Sequence, residues 1–297
     1  MRTKWILALG LIFVITSALL FTASARAQSN LLGDPLRGAL LFDSWFAVLG
    51  VDPPDGDHPL WSTQDTNSRE GAQTWRCIEC HGWDYQGADG VYGSGPHYTG
   101  FPGVMDAMEQ PDIRLLRWLR GRENPAHDFS PYLSERDLLD VIAFLRTSLV
   151  DYHAIINYET TASRGRDING ESLYNGVCAL CHGEDGGQLN FGTAHQPEFV
   201  ADIAVDDPWR FVHKVRFGHP GSDMPSGDAI GWSLAQVGDV LAYAQTLPQA
   251  EYVPPTPTAT PAVIDLENQG DTELLIWGAA AIVLVILIGA VWAFYRT

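Results

Sequence analysis

The chain has 297 residues, 46% of them hydrophobic, with 18 basic against 36 acidic side chains and a formal net charge of −18 at pH 7. That surplus of acid argues against nucleic acid and anionic lipid as partners and favours encounter with a basic protein surface, in a salt-sensitive manner. Only four cysteines occur in this length, which excludes the disulfide framework of a small secreted fold.

At the N-terminus Arg2 and Lys4 precede an apolar run from Trp5 to about Phe21, closed by Ala25-Arg26-Ala27. A charged start, an apolar middle and an A-x-A-like site are the layout of an export signal, so 1–27 is expected to be a signal peptide, with an uncleaved anchor as the alternative. Residues 28–60 are expected to form an N-terminal extension packed on the first domain. In it Asp34 can cap a helix whose first residue is Pro35, and Pro53-Pro54-Asp55-Gly56-Asp57 then marks a loop.

All four cysteines lie in two copies of one pattern, Cys77-Ile78-Glu79-Cys80-His81 and Cys178-Ala179-Leu180-Cys181-His182, each followed by a glycine. Two residues between the cysteines put both thiols about one helical turn apart, where each can form a thioether with one vinyl group of the same porphyrin. The histidine that follows can then supply the proximal iron nitrogen. A zinc site would not need histidine after the second cysteine both times, and the two copies are much farther apart than zinc-ribbon ligands. Two covalently attached haem c groups are therefore expected, on Cys77 and Cys80 with His81, and on Cys178 and Cys181 with His182.

The stretches around the motifs repeat as well. Gly71 with Trp75 and Gly170 with Tyr174 stand four apart ahead of each motif. Asp140-Val141-Ile142-Ala143-Phe144 is matched by Asp239-Val240-Leu241-Ala242-Tyr243 near the end of each half. These last segments begin with the helix-start pairs Ser134/Asp137 and Ser233/Gln236. Domains are expected at 61–150 and 151–250.

Each iron leaves one further axial position. For the second, Met224 in Asp223-Met224-Pro225 sits in a polar loop with little core to fill. The first half has no Met-Pro. Aligning Leu119-Arg120 with Val215-Arg216 places His127 nearly opposite Met224, so His127 leads, with Met105, Met108 and His97 as alternatives. Thioether ligation raises a haem potential relative to two imidazoles, so the two centres are expected to differ. The remaining histidines, His58, His153, His195, His213 and His219, read as surface or supporting groups, and Trp83, Tyr92 and Tyr98 as candidates to pack on a haem.

Past Pro248 the Pro/Thr-rich stretch 251–273 reads as a stiff linker. The uncharged run 274–295 is long enough, at about 1.5 Å per residue, to cross a hydrocarbon core of about 30 Å. The acids before it and Arg296 after it place its C-terminus in the cytoplasm.

Both C-x-x-C-H motifs, Met224-Pro225 and the paired helices make the chain resemble dihaem c-type cytochromes built from two class I domains, over about residues 60–248. The resemblance implies an all-α fold of two tandem class I cytochrome c domains, here with a C-terminal transmembrane helix. It also implies one-electron transfer without a bound substrate, hence an electron carrier rather than an enzyme. Redox proteins with a basic docking surface are the expected partners, together with the membrane through the C-terminal helix and without nucleic acid. The location expected is the inner membrane, single-pass after signal cleavage, with the haem domains extracytoplasmic. The rivals are a dihaem peroxidase-like enzyme, which needs an open coordination site, and a cytochrome subunit of a larger respiratory complex. A thiosulfate-dehydrogenase-like enzyme would need a cysteine ligand, and no cysteine is spare.

Overall fold

Helix α1, Pro35–Leu49, begins where the sequence says it should: the Asp34 carboxylate accepts the N–H groups of Leu36 and Arg37, and Pro35 occupies the first turn. It is interrupted at Ser44, which is extended, and ends on left-handed Gly50. The computed structural model describes residues 33–251, and the remaining helices are short. They are α2 (Cys77–His81), α3 (Asp112–Leu119), α4 (Glu135–Thr147), α5 (Asp167–Leu173), α6 (Ala179–His182), α7 (Val200–Asp206), α8 (Pro208–Phe217) and α9 (Leu234–Ala244). A π-helical turn, Tyr174–Cys178, joins α5 to α6. Among the described residues β-structure is limited to isolated bridges, such as Arg120 with Asp128.

Two helix pairs frame the molecule. In the second half α5 crosses α9 where Gly170 meets the backbone of Asp239 and the Cβ of Tyr243. In the first half the equivalent crossing is made by α1, whose Gly38 meets the backbone of Asp140 and the Cβ of Phe144 on α4. This departs from the sequence reading. The segment expected to be an extension supplies the N-terminal helix of the first helix pair, and Gly71–Trp75 is a 3₁₀ turn instead. Residues 51–76 are thus an insertion between that helix and the first motif. Ser134/Asp137 and Ser233/Gln236 each form a reciprocal capping box at the start of α4 and α9.

One continuous apolar core runs through both halves. Polar groups are buried where the halves meet. The phenol of Tyr85 bonds the hydroxyl of Tyr152 and Nδ1 of His213, both at 2.8 Å. Asp43 is fully buried and pairs with Arg76 at 2.5 Å and with Lys214 of α8. Trp83 packs on the His213 ring, and both cations lie over its own ring, the Arg76 guanidinium at 5.7 Å and the Lys214 ammonium at 5.4 Å from the centroid.

The expected fold class needs one correction. No helix among the described residues is long and apolar enough to cross a membrane. The longest, α1, has 15 residues and carries the buried Asp43, short of the roughly 20 apolar residues a span requires. Over the described residues the fold is helical and cytochrome-c-like, with no helix that could cross a membrane. The expected signal peptide 1–27, the linker beyond Glu251 and the run 274–295 lie outside the described residues.

Candidate functional site

The first C-x-x-C-H motif folds as the single helical turn α2, which turns both cysteines and His81 toward one cavity. Gly82 ends the turn at φ 77°, ψ 156°, and Gly183 ends the second motif at φ 81°, ψ 159°. That region is essentially reserved for glycine, which explains the residue after each motif. The chain then folds back so that Gly87 N–H donates to the His81 carbonyl at 2.8 Å, as Gln188 N–H does to that of His182 at 2.9 Å.

The cavity has a volume of about 440 Å³, within the range of pockets that take cofactor-sized ligands. Cys77, Cys80 and His81 line one side and His127 another, with apolar walls that include Phe42, Leu115 and Trp118. His127 is brought in by a tight loop. Its N–H donates to the Asn124 carbonyl at 2.9 Å, and the Asn124 side chain accepts from Ala126 at 3.0 Å. Phe129 N–H then rejoins the Leu119 carbonyl at 2.9 Å. Gly121 lets the loop close, since a Cβ there, at φ +63°, would come within 2.6 Å of the Asp128 Cβ.

The two imidazoles face each other with ring centroids 6.3 Å apart and planes inclined at 72°. Rings that share one metal ion through bonds of about 2 Å each stand about 6 Å apart between centroids. Both rings have Nδ1 tied to a backbone carbonyl: His81 to Pro102 at 2.7 Å and His127 to Trp118 at 3.3 Å. With Nδ1 donating, Nε2 is left as the coordinating nitrogen of each ring. Burial, with His127 adding to it, pushes His81 down to about 4, and burial lowers His127 as well, so both rings are held neutral as ligands must be. The cavity, the paired cysteines and the opposed rings fit a covalently held haem, whose iron would supply one-electron chemistry.

Burial pushes the thiols of Cys77 and Cys80 up to about 12 and that of Cys178 up to about 11. These are neutral thiols in apolar surroundings, unlike the low-pKa thiolates of nucleophilic cysteines. All four cysteines are free, and no cluster among the described residues could hold a zinc-type ion.

The alternative sixth ligands are placed elsewhere. Met105 packs half-buried on the core, Met108 is exposed, and neither lines the cavity. His97 stacks on Tyr92 at 4.8 Å, and its Nδ1 accepts from Arg69 at 2.6 Å. The sequence reading underrated His58, which is buried in the cavity wall with its ring 6.2 Å from that of His127. Its N–H donates to Thr74 Oγ1 at 2.8 Å and its Nδ1 accepts from Leu60 at 3.2 Å. It comes from the 51–76 insertion, where no motif announces it.

The second motif is more open. Cys181 is exposed, Cys178 and His182 are half-buried, and His182 Nδ1 is a buried nitrogen without a hydrogen-bond partner. It thus lacks the backbone-carbonyl bond that holds Nδ1 of His81 on Pro102 in the first motif. Met224 lies half-buried in the loop after α8, with its N–H donating to Ser222 Oγ at 3.3 Å. No hydrogen bond among the described residues joins it to His182.

Comparison with known families gives two matches. Residues 68–148 match cytochrome c, and residues 166–243 match cytochrome c oxidase, cbb3-type, subunit III. No curated protein and no solved structure matches. With the motif geometry, these matches support a c-type cytochrome, an electron-transfer haem protein. The first match begins after α1, so the helix that completes the first helix pair lies outside the matched region.

Proposed function

We propose that the chain is an extracytoplasmic two-haem electron carrier of a respiratory chain, with one covalent haem c in each half. Cys77, Cys80, His81 and His127 hold the first, and Cys178, Cys181, His182 and Met224 the second. The observation that carries this reading is the opposition of His81 and His127 across the cavity that also receives Cys77 and Cys80. A filled axial position on both sides favours electron transfer over peroxide chemistry, which needs an open site.

Two imidazoles on the first iron, against imidazole and thioether on the second, make the first centre the lower in potential, so that electrons run from the first half to the second. The export-type N-terminus and the thioether chemistry together support an extracytoplasmic location. Partners in this reading are respiratory redox proteins. The match of 166–243 to a cbb3-type oxidase subunit favours, as a second reading, a cytochrome subunit of a larger oxidase.

Low-temperature EPR with near-infrared magnetic circular dichroism, and haem counted by pyridine haemochrome, tests the ligand sets together. The expected result is two low-spin haems, one His/His with a strongly anisotropic signal from its crossed ring planes and one His/Met. A high-spin haem that binds peroxide would overturn the carrier reading for that half. Co-purification with catalytic oxidase subunits would favour the second reading.

A further inference from the structure

Helices α3 and α8 are counterparts, each leading into the loop of its half that carries the candidate sixth ligand. With Leu119-Arg120 set against Val215-Arg216, Arg117 and Trp118 fall opposite His213 and Lys214. In α8 those positions face the first half: His213 is buried against Tyr85 and Trp83, and Lys214 bonds Asp43. In α3 the corresponding face is bare, with Ile113 66% and Trp118 41% exposed.

Trp118 also reaches the site. Its ring lines the cavity, its centroid lies 6.5 Å from that of His127, and its carbonyl accepts the His127 Nδ1–H. One residue thus spans from solvent to the bond network of the imidazole proposed for the iron.

The charge around it runs against that of the chain. Four arginines, Arg114, Arg117, Arg120 and Arg122, stand between positions 112 and 124 against Asp112 and Glu123, in a sequence with twice as many acids as bases. Asp112 is held by Arg146 at 3.3 Å and Glu123 by Arg117 at 2.6 Å, while Arg114 and Arg122 are exposed. Asp106 is the acid on the cavity wall.

We propose that this face, on which Arg114 and Arg117 stand between Ile113 and Trp118 with Arg122 in the loop that follows, docks an acidic electron-transfer protein whose electron enters the first site beside Trp118. The inference rests on the reading of the first half as a haem site. The partner is oxidised by one electron, the first site is reduced by one, and no bond or proton is exchanged. Complementary charge orients such encounters, and the exposed arginines beside Ile113 and Trp118 select an acidic partner although the whole chain is acidic.

The test is stopped-flow reduction of the intact, haem-loaded protein by reduced flavodoxin, a small acidic one-electron protein, across a series of salt concentrations. Two bodies that repel as wholes react faster as salt screens them, whereas docking on this face makes the rate fall with salt. The expected result is a rate that falls severalfold. The triple variant R114E/R117E/R122E should reverse that trend and lower the low-salt rate about tenfold. Trp118→Ala should slow transfer at saturating flavodoxin while Trp118→Phe restores most of it.

Unchanged haem content and EPR signals in the triple variant separate docking from folding. Loss of the His/His signal in the unaltered protein would sink the haem reading, whatever the salt trend. An intact His/His signal with a rate that rises with salt, or that ignores the triple substitution, would sink the docking face alone. Binding to phosphatidylglycerol vesicles, or self-association in sedimentation velocity, that the triple variant abolishes without any salt-attenuated transfer would likewise overturn it.

Discussion

Gly38 lies directly on the backbone of Asp140: a Cβ at position 38 would come within 1.9 Å of the Asp140 carbonyl oxygen and 2.8 Å of the Phe144 Cβ. Gly170 repeats the contact on Asp239 and Tyr243, also at 1.9 and 2.8 Å. Alanine at Gly38 must push α1 off α4, and overpacking of this kind costs about 1–3 kcal/mol. Gly50→Ala, where a Cβ meets nothing within 4 Å, should cost only the left-handed strain of about 1 kcal/mol. Urea unfolding followed by circular dichroism ranks the two variants. Equal midpoints for Gly38→Ala and the parent would show that the helices do not cross here.

The same glycine marks the limit of what the sequence reveals. The motifs, the capping boxes and the Gly170/Tyr243 crossing are local patterns and could be read directly. The first crossing could not, because the 51–76 insertion separates Gly38 from its motif and Gly71 with Trp75 imitates the spacing. The usable signal was Gly38-x-x-x-Phe42, which repeats Gly170-x-x-x-Tyr174 on a properly capped helix. His127 was a candidate because its loop precedes the last helix of its half, as the Met224 loop does, and it lines the cavity. His58 was not, since its place in the cavity wall is fixed by Thr74 and by the turn at Leu60 and by no pattern along the chain. The polar joint between the halves, Asp43 with Lys214 and Tyr85 with His213, joins residues far apart in sequence and was invisible to periodicity.

Asp43 should be the costliest single charge to remove. Burial pushes its carboxyl up, but Lys214 and Arg76 outweigh burial and hold it below the usual range. Asp43→Asn leaves two partly buried cations without the carboxylate they share, a loss of about 3–5 kcal/mol at neutral pH. A depressed folded pKa stabilises above the unfolded value near 4 and loses that contribution as pH falls through the folded one. The parent should therefore weaken on acidification below about pH 4, and the variant should show a flatter profile over the same window. Urea midpoints between neutral and acid pH decide it, and parallel profiles would remove Asp43 from the account.

Asp207 should behave in the opposite sense. It caps α8 by accepting the Arg210 N–H at 3.1 Å, yet burial, with Glu198 and Glu79 adding to it, pushes its carboxyl up to about 6. A carboxyl whose folded pKa is raised stabilises below its unfolded value near 4 and loses that contribution as pH rises toward 6. Asparagine caps a helix equally well without the charge. Asp207→Asn should thus gain about 1–3 kcal/mol at pH 7 and match the parent at pH 4. A loss at pH 7 would mean that the carboxylate is better paired than its surroundings indicate.

Tyr85 concentrates the joint between the halves in one phenol. It is fully buried, its backbone sits at φ 65°, and its hydroxyl meets Tyr152 and His213 at 2.8 Å each. A bulky residue in the left-handed region is strained, and such strain persists only where surrounding contacts fix it. The backbone hydrogen bonds that Tyr85 donates to the Gly82 carbonyl and accepts from Val104 N–H, with the phenol's two partners, are those contacts. Tyr85→Phe keeps the ring and deletes the oxygen, leaving Nδ1 of His213 and one hydroxyl contact of Tyr152 unmet in the core. Two lost partners at about 1 kcal/mol or more each give a destabilisation of about 2–4 kcal/mol. Because the lost bonds join first-half and second-half residues, hydrogen exchange should rise together in α4 and α8 while the Gly170 crossing stays protected. Exchange that rises only beside residue 85 would show that the phenol supports its own loop and does not tie the halves.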